Sequence, residues 1–427
     1  MNLRGMPSSN RDSAQRGAPL SPPSLGRRDA LALAGSGALT ALTGCLGGAD
    51  TAADDSPEGT QFDAEWPTYA HDDANTAFLQ EGDAVTEPVV EYEADFGMPT
   101  WEPAAIGSFA YTASDPLRIV DAAAGEEVET VPGDRWTTPA VLDGSLYSSG
   151  ISDAPRRMGV YHAETGRTLR SIELPAAPTT APAFSNDRET MFLGLRDEQL
   201  CAVDLNAGEV KWTRKLYGAV HQQLAVNLRA IFVVTQGQRL YCLGTDGSGY
   251  WQTALETAEP YPAVVGDERV YIAGWDRIAA LEKRNGNVVW EDDGGVHERL
   301  AFDGKRLYAS RGGLRALDAE TGEEQWSFDP RDGTSAASIA ADTVYVGTDD
   351  GRLVALKRGG TDVLEDRERW SIDLGSNVGH SMAATDRRVF CPVLRDDGLM
   401  SLTVVADASV SGQSTAGSAA TQGGEAA

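Results

Sequence analysis

Lysine is nearly missing from this sequence. Five residues in 427 are lysine, Lys211, Lys215, Lys283, Lys305 and Lys357, and arginine supplies the other basic side chains. Positive charge as a whole is short, with 36 basic groups against 64 acidic ones and a formal charge of −28. A surface this acidic repels phosphates, which excludes bare nucleic acid as a partner. It suits a protein kept soluble in concentrated salt, where self-repulsion is screened, so the chain reads as halophile-type. Cysteine is scarce too. Cys45, Cys201, Cys242 and Cys391 form no Cys-x-x-Cys pair and no Cys/His set with metal spacing. Cys201, Cys242 and Cys391 lie in apolar, strand-like runs and read as buried free thiols. Also missing are a Gly-x-Ser-x-Gly elbow, a phosphate-binding glycine loop and a His-Glu-x-x-His pair. Carboxylates are so abundant that no pair of them singles itself out.

The N-terminus carries no bilayer-spanning run. The uncharged stretch at residues 30–44 is too short to cross a membrane, but it fits the apolar region of a signal peptide. Arg27 and Arg28 precede it, as in twin-arginine export signals, and Leu42-Thr43-Gly44-Cys45 ends it, resembling a bacterial-type lipobox. The expected organisation is a signal peptide at 1–44, an acidic disordered tether at 45–64, a folded domain at 65–408 and a disordered tail at 409–427. A lipidated Cys45 would anchor the exported chain to the outer face of the cytoplasmic membrane.

The folded part is repetitive. A turn glycine recurs at Gly125, Gly166, Gly208, Gly247, Gly286 and Gly322. Four residues later stands Trp212, Trp251, Trp290 or Trp326, with Glu129 and Arg170 in that slot in the first two repeats. A seventh copy ends in Trp370 after an insertion in its turn. The stretch Ala316–Asp329 shows the unit: an apolar strand, the turn Asp-Ala-Glu-Thr-Gly, and a second strand carrying Trp326 and Phe328. Another pair of short strands precedes each such hairpin. Four strands in roughly 40 residues, repeated, predict a β-propeller. Three C-terminal strands need a fourth, and Val89–Phe96, with Tyr92 in place of tryptophan, can supply it. The ring then closes with an N-terminal strand and eight blades; seven is the alternative count.

The motif Ala-Leu-Asp-x-x-Thr-Gly-x-x-x-Trp, preceded by strands like Pro-Ala-Val-x-Gly-Asp-x-Val-Tyr, resembles the pyrroloquinoline-quinone-type propeller repeat. Glu65-Trp66-Pro67-Thr68-Tyr69 and Asp73-Ala74-Asn75-Thr76 are similar to the lead-in of many members. The family includes quinoprotein alcohol dehydrogenases and the propeller lipoprotein of the bacterial outer-membrane assembly machine. The resemblance implies that Trp212, Trp251, Trp290, Trp326 and Trp370 dock blade against blade and bind no ligand. For the dehydrogenases it implies a vicinal disulfide, Ca²⁺ held by Glu and Asn, a catalytic Asp and a Trp floor. No adjacent cysteines exist here, and no Glu/Asn/Asp set falls on that motif. The expected protein is therefore a non-catalytic, monomeric scaffold or ligand-binding module with envelope proteins as partners, without metal or cofactor. A pyrroloquinoline-quinone enzyme with Ca²⁺ is the alternative. The assembly-machine role is not carried over, because a cell without an outer membrane has no such machine and the sequence does not say which envelope the chain faces. Residues leading into each blade's first strand should ring the channel mouth; Trp101, Trp136, His221, Tyr261, His297 and His380 form the candidate ligand rim. The competing reading is ordinary channel-lining polar residues.

Overall fold

The computed structural model describes residues 65–97, 102–114, 116–131, 137–150, 156–330, 333–360, 367–379 and 381–411. Cys45, Arg27, Arg28, Trp101, Trp136 and His380 lie outside them. The described chain is all β, an eight-bladed propeller of antiparallel four-stranded blades. Blades 1 to 7 take residues 104–131, 140–173, 183–215, 225–254, 264–292, 301–328 and 338–373 in order. Blade 8 joins the chain ends. Its inner three strands span residues 383–407, and its outermost is β2 (Pro88–Gly97), antiparallel to Met400–Asp407. The described chain continues to Ser411, where the Ser409, Val410 and Ser411 amides turn back onto Asp407.

The inner strands of a blade are covered on both faces by its neighbours. All six residues of Thr190–Leu195 are accordingly buried. Outer strands such as Glu209–Lys215 instead alternate between exposed and half-buried positions. The third residue of every second strand is a buried aromatic: Tyr111, Tyr147, Phe192, Phe232, Tyr271, Tyr308, Tyr345 and Phe390. Cys201, Cys242 and Cys391 are buried free thiols, the first two pushed up to about 12 by burial.

In blades 1, 3 and 6 the hairpin turn is built by an aspartate, Asp121, Asp204 or Asp318. The Asp318 carboxylate accepts the Glu320 and Thr321 amides at 2.9 and 3.0 Å, and Gly322 closes the turn at φ +78°. That glycine also makes room for a neighbour: a Cβ on it would come within 2.7 Å of the Trp290 ring. Trp212 packs on Gly247 and Trp251 on Gly286 in the same way, each tryptophan reaching the turn of the following blade. The indole N–H groups of Trp212, Trp251 and Trp290 donate to the carbonyls of Thr245, Lys283 and Ala319 in those turns at 3.0–3.1 Å. Trp370 donates to Val85, just before β2, at 2.8 Å. Trp326 differs. Its N–H has no partner among the described residues, and the Arg367 guanidinium lies over its ring at 4.5 Å. The two slots without tryptophan use other chemistry. Arg170 donates to the Leu205 carbonyl beside Gly208, and the aliphatic part of Glu129 packs on Gly166.

A second set of bonds runs radially. The lead-in, residues 66–79, passes along the innermost strands of blades 1 to 7 in order. The second residue of each strand donates its amide to it: Ala105 to Trp66 O, Val141 to Pro67 O, Phe184 to Asp73 Oδ1, Val226 to Asp73 O, Val265 to Ala74 O, Phe302 to Thr76 O and Ile339 to Ala77 O, at 2.5–3.0 Å. The lead-in ends in β1 (Phe78–Leu79), which pairs in parallel with Ser338–Ala340 of blade 7. Asn75, at φ +59°, donates its amide group to the Leu224 and Ala263 carbonyls of blades 4 and 5. Burial pushes the Asp73 carboxyl up to about 7 and that of Glu65 up to about 8.

Two outcomes follow for stability. Gly322→Ala and Gly125→Ala place the same strain on a positive φ, but nothing lies within 4 Å of a Cβ at Gly125. Gly322→Ala should therefore lower the denaturation midpoint more, and the difference reports the Trp290 contact. For the carboxyls, a raised folded pKa means that the folded state binds more protons than the unfolded chain between about pH 4 and pH 8. Stability should then fall as pH rises through that window, by up to about 1.4 kcal/mol per pH unit for each proton. Asp73→Asn, which keeps the acceptor for Phe184, should flatten that slope in urea melts taken at successive pH values.

Candidate functional site

Each blade's first strand is reached from the outermost strand of the blade before it, so the segments leading in converge on one end of the central channel. They enclose a cavity of about 420 Å³, with Glu102 from blade 1, Thr137 and Thr138 from blade 2, Thr179 and Thr180 from blade 3, and His221, Gln222 and Gln223 from blade 4. Tyr261, Glu298, Arg299 and Ser381 complete the wall, and Tyr69 comes from the lead-in. The volume is that of a small-molecule site.

The deep part is held by an ion pair. Arg299 bonds Glu102 in bidentate fashion, Nε to Oε2 at 2.8 Å and a terminal nitrogen to Oε1 at 3.1 Å. Both side chains are buried, 3% and 1% exposed. The guanidinium also donates to the Ala337 carbonyl and the Ser338 hydroxyl. Glu102 Oε1 accepts the Trp66 indole N–H and the Ala70 amide, both at 2.9 Å. One carboxylate thus ties the lead-in to blade 1 and, through Arg299, to blades 6 and 7. Burial first, and then the Glu102 charge, push the Tyr69 phenol well above its ordinary value, so it stays protonated.

The rim residues divide. His221 and Tyr261 line the cavity. His297 shares the strand register of Tyr261, both amides donating to the end of the second strand, at Ser310 and Ala273. Its side chain nevertheless stands exposed and outside the cavity wall, which takes Glu298 and Arg299 from that segment instead. Its contribution is a backbone carbonyl that accepts the Tyr261 hydroxyl. Trp101, Trp136 and His380 lie outside the described residues. Tyr69, Gln223, Arg299 and Ser381 belong to the wall and were missed by sequence reasoning. Arg299 and Gln223 carried a usable signal, since each stands two residues after a rim histidine.

An eight-bladed propeller of quinoprotein-like repeats with a walled channel mouth is the class that fold and site define. A family model described as outer membrane protein assembly factor BamB matches residues 113–243, 236–368 and 310–412. The chain belongs to that family. A BamB of Kangiella koreensis is 38% identical over 96 residues, 21% of this chain and 24% of that protein, so the match spans about a quarter of the relative's length. Among solved structures, the quinohemoprotein alcohol dehydrogenase of Comamonas testosteroni superposes with TM-score 0.64 at 13% identity, covering 88% of this chain and 85% of that one. The computationally designed protein Ika8 superposes with TM-score 0.58 at 15% identity, covering 78% and 99%. At such identities these likenesses concern the fold alone.

The residues in the cavity do not fit pyrroloquinoline quinone, a planar polycarboxylate. Among the described residues the one guanidinium in the wall, Arg299, is committed to Glu102, and the other charged wall residue is Glu298. Among the described residues no three His, Cys, Asp or Glu side chains converge to hold a metal ion.

The ion pair makes a separate prediction. Glu102→Gln leaves Arg299 buried without its counter-charge and should cost about 3–5 kcal/mol. Adding Arg299→Met should recover most of the loss in a denaturation curve, because an apolar pair of similar volume carries no desolvation cost.

Proposed function

We propose that the protein is a non-catalytic binding module of the cell envelope, exported and held to the membrane by a lipid on Cys45. Its working surface is the face of the disc around the channel mouth. One observation carries this reading. On that face two large aromatic side chains stand in solvent beside the cavity, Tyr217 at 68% and Trp275 at 55% exposed. Tyr217 lies in the segment leading to His221. Trp275 lies in the turn between the second and third strands of blade 5, within hydrogen-bonding reach of Tyr261. Exposed tryptophan and tyrosine beside a polar rim are the usual anchors of a protein interface. Family membership supports an envelope partner, since the matched family and the Kangiella relative are described as outer membrane assembly factors. The dehydrogenase reading is the weaker one, because the cavity wall does not suit the quinone.

A photo-crosslinking amino acid at position 275 in living cells tests the proposal. Discrete adducts with envelope proteins are expected from 275 and not from position 188 on the lead-in side of the disc. Equal labelling from both positions, or none from 275, overturns it.

A further inference from the structure

We propose that the channel cavity binds a neutral saccharide. The argument rests on the hydrogen-bonding capacity left over in its wall. The Tyr69 and Thr138 hydroxyls, the Gln222 and Gln223 amides and the Ser381 hydroxyl make no hydrogen bond to any described residue. Gln223 is only 7% exposed and Ser381 only 8%. Thr137 is 4% exposed, and its hydroxyl is fully buried without a partner. Apart from the Thr137 hydroxyl, these groups open onto the cavity, so their hydrogen-bonding capacity is free for a guest that enters it and matches several of them at once. Every one of these groups is uncharged, and most can both donate and accept. That pattern matches a set of hydroxyls, each of which also does both.

Charge narrows the class. Among the described residues the wall's guanidinium is neutralised by Glu102, and the Glu298 charge is close enough to raise the Tyr69 phenol, so the described wall offers an anionic ligand no unpaired guanidinium. The rings of Tyr69 and Tyr261, the Pro262 ring and the threonine methyls supply apolar surface for the C–H faces of a sugar. Amides beside aromatic rings, in a cavity of about 420 Å³, suit a mono- or disaccharide. The inference stands on the cavity alone, so a protein partner on the disc face can fail without touching it.

The test is saturation-transfer NMR and calorimetry on the full chain with methyl α-glucoside and maltose as probes and glucuronate as the charged control. Saturable binding of a neutral probe is expected, with glucuronate at least about tenfold weaker. The double substitution Gln222→Ala/Gln223→Ala should weaken binding at least tenfold. Thr137→Val checks the fold apart from the ligand: it should leave the melting temperature unchanged or raised, because it removes an unmatched buried hydroxyl. No binding of either neutral probe to the unmodified protein overturns the proposal. So does binding that survives the glutamine substitutions with the variant folded, or glucuronate bound as tightly as the neutral probes.

Discussion

Seven amides, one from each of blades 1 to 7, point at the axis of the ring and end on the lead-in. This arrangement solves a problem that repetition creates. Identical blades present identical inner edges, and an inner edge carries unpaired N–H groups. Left buried and unmatched, each would cost about 1–3 kcal/mol. Another copy of the repeat cannot supply the acceptors, because its own inner edge faces the same way. A single non-repeated segment can, and by touching the blades in order it also fixes how many fit around it. Asp73 serves two blades, one by side chain and one by backbone, and Asn75 bridges blades 4 and 5.

The joints around the ring follow a different logic. There the repeat itself supplies both partners, a tryptophan in one blade and a glycine turn in the next. The slots without tryptophan show what the position requires. Arg170 keeps a hydrogen bond to a carbonyl of the following turn, and Glu129 keeps the packing on its glycine. What matters is reach across the gap, so the loss of the aromatic ring does not break the ring of blades. Within the closing blade the C-terminal strands meet β2 through an antiparallel ladder, with ion pairs of Arg388 to Glu91 and Arg395 to Asp95 added to it.

These two classes of joint differed in legibility. The Gly-x-x-x-Trp spacing is periodic, so register, blade order and the use of Val89–Phe96 to close the ring could be read from sequence. The lead-in occurs once, and its partners are backbone amides whose side chains carry no mark. Trp66, Asp73 and Asn75 therefore stood out only as features similar to other lead-ins. The eight buried aromatics of the second strands were open to the same periodic reading, but alternation between Tyr and Phe hid them behind the more visible tryptophans. At the mouth, strand register pointed to His221 and Tyr261, which line the cavity, but could not say how deep a side chain sits. His297 shares their register and stays outside, while Glu298 and Arg299 take the wall.

The ion pair at the bottom of the cavity joins the two halves of the molecule's logic. Glu102 gathers Trp66 and Ala70 of the lead-in and neutralises Arg299. The same contact that locks the lead-in into the ring therefore neutralises the one guanidinium that the described residues bring to the cavity wall. A dehydrogenase-type fold that kept Arg299 available would offer an anionic cofactor a counter-charge at this depth. Here that charge is spent on architecture, and the groups left facing the cavity are hydroxyls, amides and phenol rings. Selectivity for an uncharged guest is then a consequence of how the propeller is held together, without any residue devoted to it alone.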